Sequence, residues 1–346
     1  MSEGWQGPLR SAMPRLIERL DPLPLARLPS PVIRLSLLGQ RLRHEGLYLK
    51  CDHDSSPLYG GNKVRKLEFL LAEAQRRRAR TLVTIGGIGS NHVLATALHG
   101  RALGLATVGV VFPQPDNPWV ERNQAAGQGA GLELVRASSR WSFPWLVGRT
   151  FRQKSRELPG KVYFVPGGGS SPLGALGFVN AGLELADQVR AGLLPEPEWV
   201  FVATGTGGTA AGLALGLGLG GLQTRVRAVR VVERFLATRT LLGWLDRGMR
   251  RLARDPGGEE INRRKRSCRI ELEHGYFGPG YGCATEAGKK SVELFAEEGI
   301  ALETTYTGKA AAAFLDEARR NPKPLLFWNT YSAADLSPWI FKPGPG

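Results

Sequence analysis

"WVFVATGTGGTAAGLALGLGL", residues 199–219, passes from an apolar, β-branched run through Gly205, Gly207 and Gly208 into an Ala- and Leu-rich segment. The pattern predicts a buried strand, a glycine turn and a helix. Successive glycines let backbone N–H groups converge on one point, and the helix N-terminus adds partial positive charge, so the turn from Gly205 through Thr206, Gly207 and Gly208 to Thr209 suits a phosphate. The same letters contain G-x-G-x-x-A (Gly205, Gly207, Ala210), and the next strand, "RVRAVRVV", leads to Glu233, where a dinucleotide site would hold its ribose. Taken alone, the loop fits a lone phosphate, the pyrophosphate of a nicotinamide or flavin cofactor, or close packing of helix on sheet.

The same cadence extends in both directions. "TLVTIGG" precedes a helix through "HVLATALHGRALG", "ATVGVVF" a helix after Pro118, and "KVYFVPGGG" the stretch "LGALGFVNAGLELADQV". Downstream come a helix over 235–255, "CRIELEHGY", a helix through "EAGKKSVELFAEEG", another from Lys309, and a last strand, "PLLFWNT". Strand, glycine turn and helix in repetition predict an α/β fold, two three-layer lobes with mostly parallel sheets. Ligands of such folds lie beyond the carboxyl ends of the strands, so the turns around Gly87, Gly168 and Gly207 should face one crevice.

Composition narrows the class. The 346 residues, 42% hydrophobic and 22% charged, suffice for one large or two medium domains. The N-terminus lacks the apolar region of a secretion signal, and no stretch approaches membrane-span length. Cys51, Cys268 and Cys283 are spaced for neither a disulfide framework nor zinc, so a cytoplasmic protein with no metal site is expected. The net charge of +15 raises a nucleic-acid hypothesis. "AQRRRARTL", the Arg225–Arg254 stretch and "NRRKRS" carry that excess without aromatic platforms or zinc-finger spacing, which reads as solvated helix faces and a loop. A basic surface still attracts small anions.

A second stretch, "PLYGGNKVRKLEFLLAEA" (57–74), places Lys63 at a helix start behind two glycines and an asparagine. The macrodipole favours anions there, so the dipole, with Arg65 and Lys66 nearby, should lower the Lys63 pKa and favour the neutral amine that forms Schiff bases. In "IGGIGSNHVLATALHG", Ser90, Asn91 and His92 open another helix, where capping and anion binding are compatible.

"LYGGNKVRKLEFLLAEA", "SNHVLATA", "GGGSSPLGALGFVNAGLEL", "ATGTGGTAAG" and "YTGK" together resemble the D-cysteine desulfhydrase and aminocyclopropane carboxylate (ACC) deaminase family of pyridoxal phosphate enzymes, fold type II, related in fold to the tryptophan synthase β subunit. The resemblance spans nearly the whole chain. It implies a large cofactor-binding domain from 1–65 and 178–346, a small substrate-side domain from 66–177, and a homodimer. It implies further that Lys63 forms the Schiff base with pyridoxal phosphate and that Asn91 bonds the ring's phenolic oxygen. Ser90 and His92 would face the substrate, the Gly205–Thr209 loop would hold the phosphate, and Tyr281 and Tyr306 would flank the ring.

Thr307 and Thr330 occupy the two positions that would face the ring nitrogen, where ACC deaminases resemble this pattern with glutamate and leucine. Hydroxyls there favour β-elimination from a small D-amino acid, D-cysteine first, giving pyruvate, hydrogen sulfide and ammonia. A deaminase of the ACC or D-serine type, an NAD(P)-binding oxidoreductase and a noncatalytic relative are the alternatives. Cys51, His53, Gly89, Leu94 and the Tyr331–Ser332 pair depart from the family pattern. Cys51 and His53, two apart on a strand, also admit a nucleophile and base, though nothing adjacent supplies an oxyanion hole.

Overall fold

The computed structural model describes residues 4–139, 141–254 and 266–340. Ten strands occupy that span: β1 (Val32–Arg34), β2 (Leu47–Lys50), β3 (Thr81–Gly87), β4 (Ala106–Phe112), β5 (Glu133–Arg136), β6 (Val162–Val165), β7 (Trp199–Thr204), β8 (Arg225–Arg230), β9 (Ile270–Glu273) and β10 (Leu325–Trp328). Twelve α-helices accompany them: α1 (Pro8–Ala12), α2 (Pro14–Leu20), α3 (Ser36–Leu42), α4 (Asn62–Arg76), α5 (Asn91–Ala102), α6 (Pro118–Gly129), α7 (Phe143–Glu157), α8 (Pro172–Arg190), α9 (Gly208–Leu219), α10 (Arg239–Leu252), α11 (Glu286–Glu297) and α12 (Thr307–Ala318). None is long and apolar enough to cross a membrane among the described residues.

The strands form two sheets. One has the order β1-β2-β10-β7-β8-β9 and the other β5-β4-β3-β6. Only the β1–β2 pair is antiparallel; the remaining pairs are parallel, as crossover helices require. In β7 every residue is buried, which explains why "WVFVAT" reads as a continuous apolar run rather than an alternating one. Helix α9 is buried from Gly208 to Leu217, so it too is apolar on all sides.

Several segments differ from the expectation. The helix placed over 235–255 is a short 3-10 turn at Arg234–Leu236 followed by α10, because Thr238 caps the helix by accepting the Leu241 N–H. The helix expected from Lys309 starts at Thr307. Strands β1, β2 and β5 and helix α7 carry no glycine-turn signature and were not marked by the pattern. Most of "NRRKRS", 262–265, lies outside the described residues.

A buried ionic cluster fixes α4 to the larger sheet. Arg65 reaches Asp52 at 2.7 Å and Glu184 at 3.0 Å, and Lys50 reaches Glu184 at 2.6 Å. Ser30, Gln188 and the Trp328 indole complete its hydrogen bonds. Paired in this way, Glu184 is held down to about 2 by Arg65 and Lys50 despite its burial. Arg65 therefore points into the core, away from Lys63.

Candidate active site

Gly61 sets the position of Lys63. Its φ of +73° suits glycine, and a Cβ there would lie 2.6 Å from the carbonyl oxygens of Thr330 and Tyr331, so the turn lies directly on the end of β10. Helix α4 then starts at Asn62, with Lys63 in its first turn and Val64, Leu67, Leu70, Leu71 and Ala74 buried behind it. Lys63 Nζ donates to Asn62 Oδ1 at 2.5 Å, and Asn62 Nδ2 donates to Thr209 Oγ1 at 3.1 Å. The lysine is thereby connected to the glycine turn that begins α9.

Burial pushes the Lys63 ammonium down to about 8, with the Glu303 carboxylate opposing the shift. The direction agrees with the sequence reading, but the cause differs. Desolvation dominates, since Arg65 is occupied by the core carboxylates.

A cavity of about 270 Å³ opens beside Lys63. The turns at Gly87, Gly168 and Gly207 all line it. So do Ser90, Asn91, His92, Gly205, Thr206, Gly208, Thr209, Tyr281, Tyr306, Thr307 and Thr330, the residues that the family resemblance puts at the site. Cys51 and His53 are not among its lining residues. Burial raises the Cys51 thiol to about 12, and its Sγ is directed to Leu49 O, so it does not resemble an activated nucleophile.

One end of the cavity is built for an anion. Gly207, with φ of +78°, precedes α9 and offers it no side-chain cap of its own. The 167–170 turn comes up against it: Thr206 Oγ1 donates to Ser170 Oγ at 2.6 Å, and the Gly208 N–H donates to the same oxygen at 3.2 Å. Lys66 Nζ extends to Gly168 O at 3.0 Å and Ser170 Oγ at 3.3 Å, both neutral acceptors. Burial, and then Lys63, lowers its pKa well below that of a free lysine, an unfavourable setting that an anion beside it would relieve. The half-buried Lys63 amine and a glycine turn backed by Lys66 and Ser170 in the same cavity fit the aldehyde and phosphate of pyridoxal phosphate.

Other lining residues are polar and hydrogen-bonded. Ser90 caps α5, its hydroxyl accepting the N–H groups of His92 and Val93. Asn91 Oδ1 accepts from Tyr59 at 3.1 Å and from Asn123 at 2.8 Å, which orients its amide. His92 Nε2 lies 3.0 Å from Thr84 Oγ1, and burial lowers its pKa well below the usual value. Tyr281 and Tyr306 join through their hydroxyls. Burial first, and Tyr281 second, raise the Tyr306 pKa far above that of a free phenol.

Glu303 and Ser170 carry no role in the sequence reading, which weighs Lys66 only as a cation near Lys63. Glu303 accepts the N–H groups of Thr305, Tyr306 and Thr307 and the Thr307 hydroxyl, so Thr307 meets a carboxylate rather than standing as a free hydroxyl. Burial raises its pKa. Nothing in "LETTYTGK" marks that glutamate, because its importance comes from the helix start folding back over it. Ser170 had a legible signal, a hydroxyl following the Gly167–Gly169 turn.

The chain is similar to known proteins over most of its length. A family model described as "Pyridoxal-phosphate dependent enzyme" matches residues 23–327. The D-cysteine desulfhydrase of Klebsiella pneumoniae (strain 342) is 34% identical over 330 residues, covering 92% of this chain and 96% of the relative. The D-cysteine desulfhydrase of Salmonella newport (strain SL254) is 35% identical over 331 residues, with the same coverage of 92% and 96%. Among solved structures, one titled "Crystal Structure Analysis of the ACC deaminase homologue" superposes with a TM-score of 0.79 at 28% identity, covering 92% of this chain and 94% of that one. A fungal L-serine ammonia-lyase from Rhizomucor miehei matches at a TM-score of 0.59 and 18% identity over 91% and 98% of the two chains, a likeness of fold.

Proposed function

Since the chain belongs to the pyridoxal-phosphate dependent enzyme family, we propose that it is a carbon–sulfur lyase that eliminates the β-substituent of a small D-amino acid, with D-cysteine the leading substrate. The overall reaction consumes one water and yields pyruvate, hydrogen sulfide and ammonia. The observation that carries the reading is the half-buried Lys63 amine, lowered to about 8 by desolvation and sharing one cavity with the glycine cradle. That pairing favours a carbonyl-bearing monophosphate over a dinucleotide. The D-cysteine desulfhydrase relatives support the substrate class.

Lys63 would hold the cofactor, while Lys66, Ser170 and the 205–209 turn would hold its phosphate. Asn91 would face the phenolic oxygen, and Thr330 the ring nitrogen, with Thr307 and Glu303 behind. When bound, pyridoxal phosphate supplies the electron sink that accepts the pair left when a Cα proton departs. The Lys63 amine, near neutrality in its free form, is the base for that proton. Ser90 and the 89–91 turn hold the substrate carboxylate. Tyr306 keeps its proton because burial raises its pKa, and with Tyr281 behind it donates to the leaving sulfur.

We further propose a cytoplasmic homodimer, in keeping with the free cysteines at 51, 268 and 283. The cofactor-bearing domain would comprise 1–65 and 178–346, and the substrate-side domain 66–177, which encloses the four-stranded sheet. Purified protein supplied with D-cysteine, L-cysteine, D-serine or ACC, and assayed for sulfide, keto acid and ammonia, tests the activity. Equal amounts of pyruvate, sulfide and ammonia from D-cysteine are expected. Release of α-ketobutyrate from ACC without sulfide from D-cysteine would overturn the reading in favour of the deaminase.

A further inference from the structure

Tyr331 follows Thr330 at the end of β10 and lines the cavity with only 6% of its surface exposed. Its backbone N–H donates to Asn329 Oδ1 at 3.2 Å, and its carbonyl lies against Gly61, in the turn that delivers Lys63. The ring is held at its far end by another element. Arg122 Nη1, on α6, donates to the Tyr331 hydroxyl at 3.3 Å, while Nη2 of the same guanidinium donates to Ala334 O at 3.1 Å. Trp119, one turn earlier on α6, packs edge-on to the ring with centroids 5.7 Å apart and an interplanar angle of 76°.

Helix α6 comes this close because residue 89 is glycine. A Cβ at Gly89 would lie 2.5 Å from Val120 Cγ2 and 2.8 Å from Val120 Cα, so a larger residue would push α6 away. With glycine there, Asn123 Nδ2 donates to Gly89 O at 2.9 Å and to Asn91 Oδ1 at 2.8 Å, fixing α6 behind the Ser90–Asn91 turn. The Tyr331 ring thus bridges from the Lys63 turn to the helix behind Asn91. It forms a fixed wall of the cavity.

We propose that Tyr331, held by Arg122 and Trp119, is the residue that limits the substrate to a small β-substituent. The assignment rests on the amino-acid lyase reading above. A buried aromatic ring with both ends anchored cannot swing aside cheaply, so a bulky side chain meets steric rejection rather than induced fit.

The test compares holoenzyme and Tyr331→Ala, Tyr331→Leu and Tyr331→Phe variants, each first checked for the visible absorbance of bound cofactor. Dissociation constants for alanine and methionine, in both D and L forms, are read from the change in that absorbance. kcat/KM is measured in parallel for D-cysteine and its S-methyl derivative. The wild type should favour the small ligand of each pair, and the alanine and leucine variants should shift the methionine-to-alanine binding ratio by about tenfold or more toward methionine. Tyr331→Phe, which keeps the ring and its Trp119 contact but loses the Arg122 bond, should shift the ratio less than either. An unchanged ratio in the alanine or leucine variant, or an equal relaxation in the phenylalanine variant, would overturn the wall. A shifted binding ratio together with no sulfide from D-cysteine would instead overturn the D-cysteine reading and leave the wall standing.

Discussion

Tyr281 and Tyr306 are joined through their hydroxyls with their rings edge-to-face, centroids 6.0 Å apart at 63°. The two come from separate segments, one before α11 and one at the start of α12, and meet only at the cavity. Two phenols bonded to each other in a buried site keep one proton available as a donor. Replacing Tyr306 with phenylalanine should lower kcat on D-cysteine by about a hundredfold, a usual loss for a positioned acid. Tyr281→Phe should cost less, and both variants should keep the cofactor's visible absorbance. Steady-state kinetics beside a spectrum of each variant checks this.

Cofactor loading should depend on pH through Lys63. Below about 8 the amine of the unloaded site carries a proton and has no free pair; above it, the neutral amine predominates. The rate at which apoprotein captures pyridoxal phosphate should therefore rise with pH and level off above that point. Stopped-flow absorbance at constant ionic strength measures it. A midpoint at the ordinary lysine value of 10.5 would show that burial does not act on this amine.

Much of this was legible because the glycine turns are local features. The strand, turn and helix cadence indicated both parallel sheets, and the turns at Gly87, Gly168 and Gly207 do line one cavity. What the sequence concealed was long-range. Arg65 reads like a helper of Lys63, yet Asp52 and Glu184, from distant segments, draw it into the core. Glu303 gains its role only when the start of α12 folds over its carboxylate. Strand β2 is short and lies between partners far apart in sequence, one of them β10, so its pairing has no local signature.

Arg65→Met should destabilise the fold by about 3–5 kcal/mol, the usual cost of stranding buried carboxylates. Asp52 and Glu184 would lose their shared guanidinium, leaving Lys50 as the remaining cation of the cluster. Denaturant unfolding of the two proteins measures the difference. A loss below about 1 kcal/mol would mean the cluster rearranges around the gap.

Glu68 gives a second stability prediction with a defined pH window. Burial raises its carboxyl from the ordinary 4.5 to about 8, even though Oε1 accepts the Ala26 N–H at 3.1 Å. Between those values the folded chain retains a proton that the unfolded chain has lost, so this group's contribution falls as pH rises through the window. Glu68→Gln removes the titration. Its stability relative to wild type should improve from pH 5 to pH 9, by a few kcal/mol in order of magnitude. Melting curves across that range would contradict the account if the difference stayed flat.

The central claim is that Lys63 stands on its glycine turn to hold pyridoxal phosphate. The most direct measurement is the visible absorbance of purified wild-type protein beside Lys63→Ala, both after addition of the cofactor and removal of the excess. A retained visible band in the wild type, absent from the variant, is the predicted result. A band of equal position and intensity in both, or none in the wild type after loading, would contradict it.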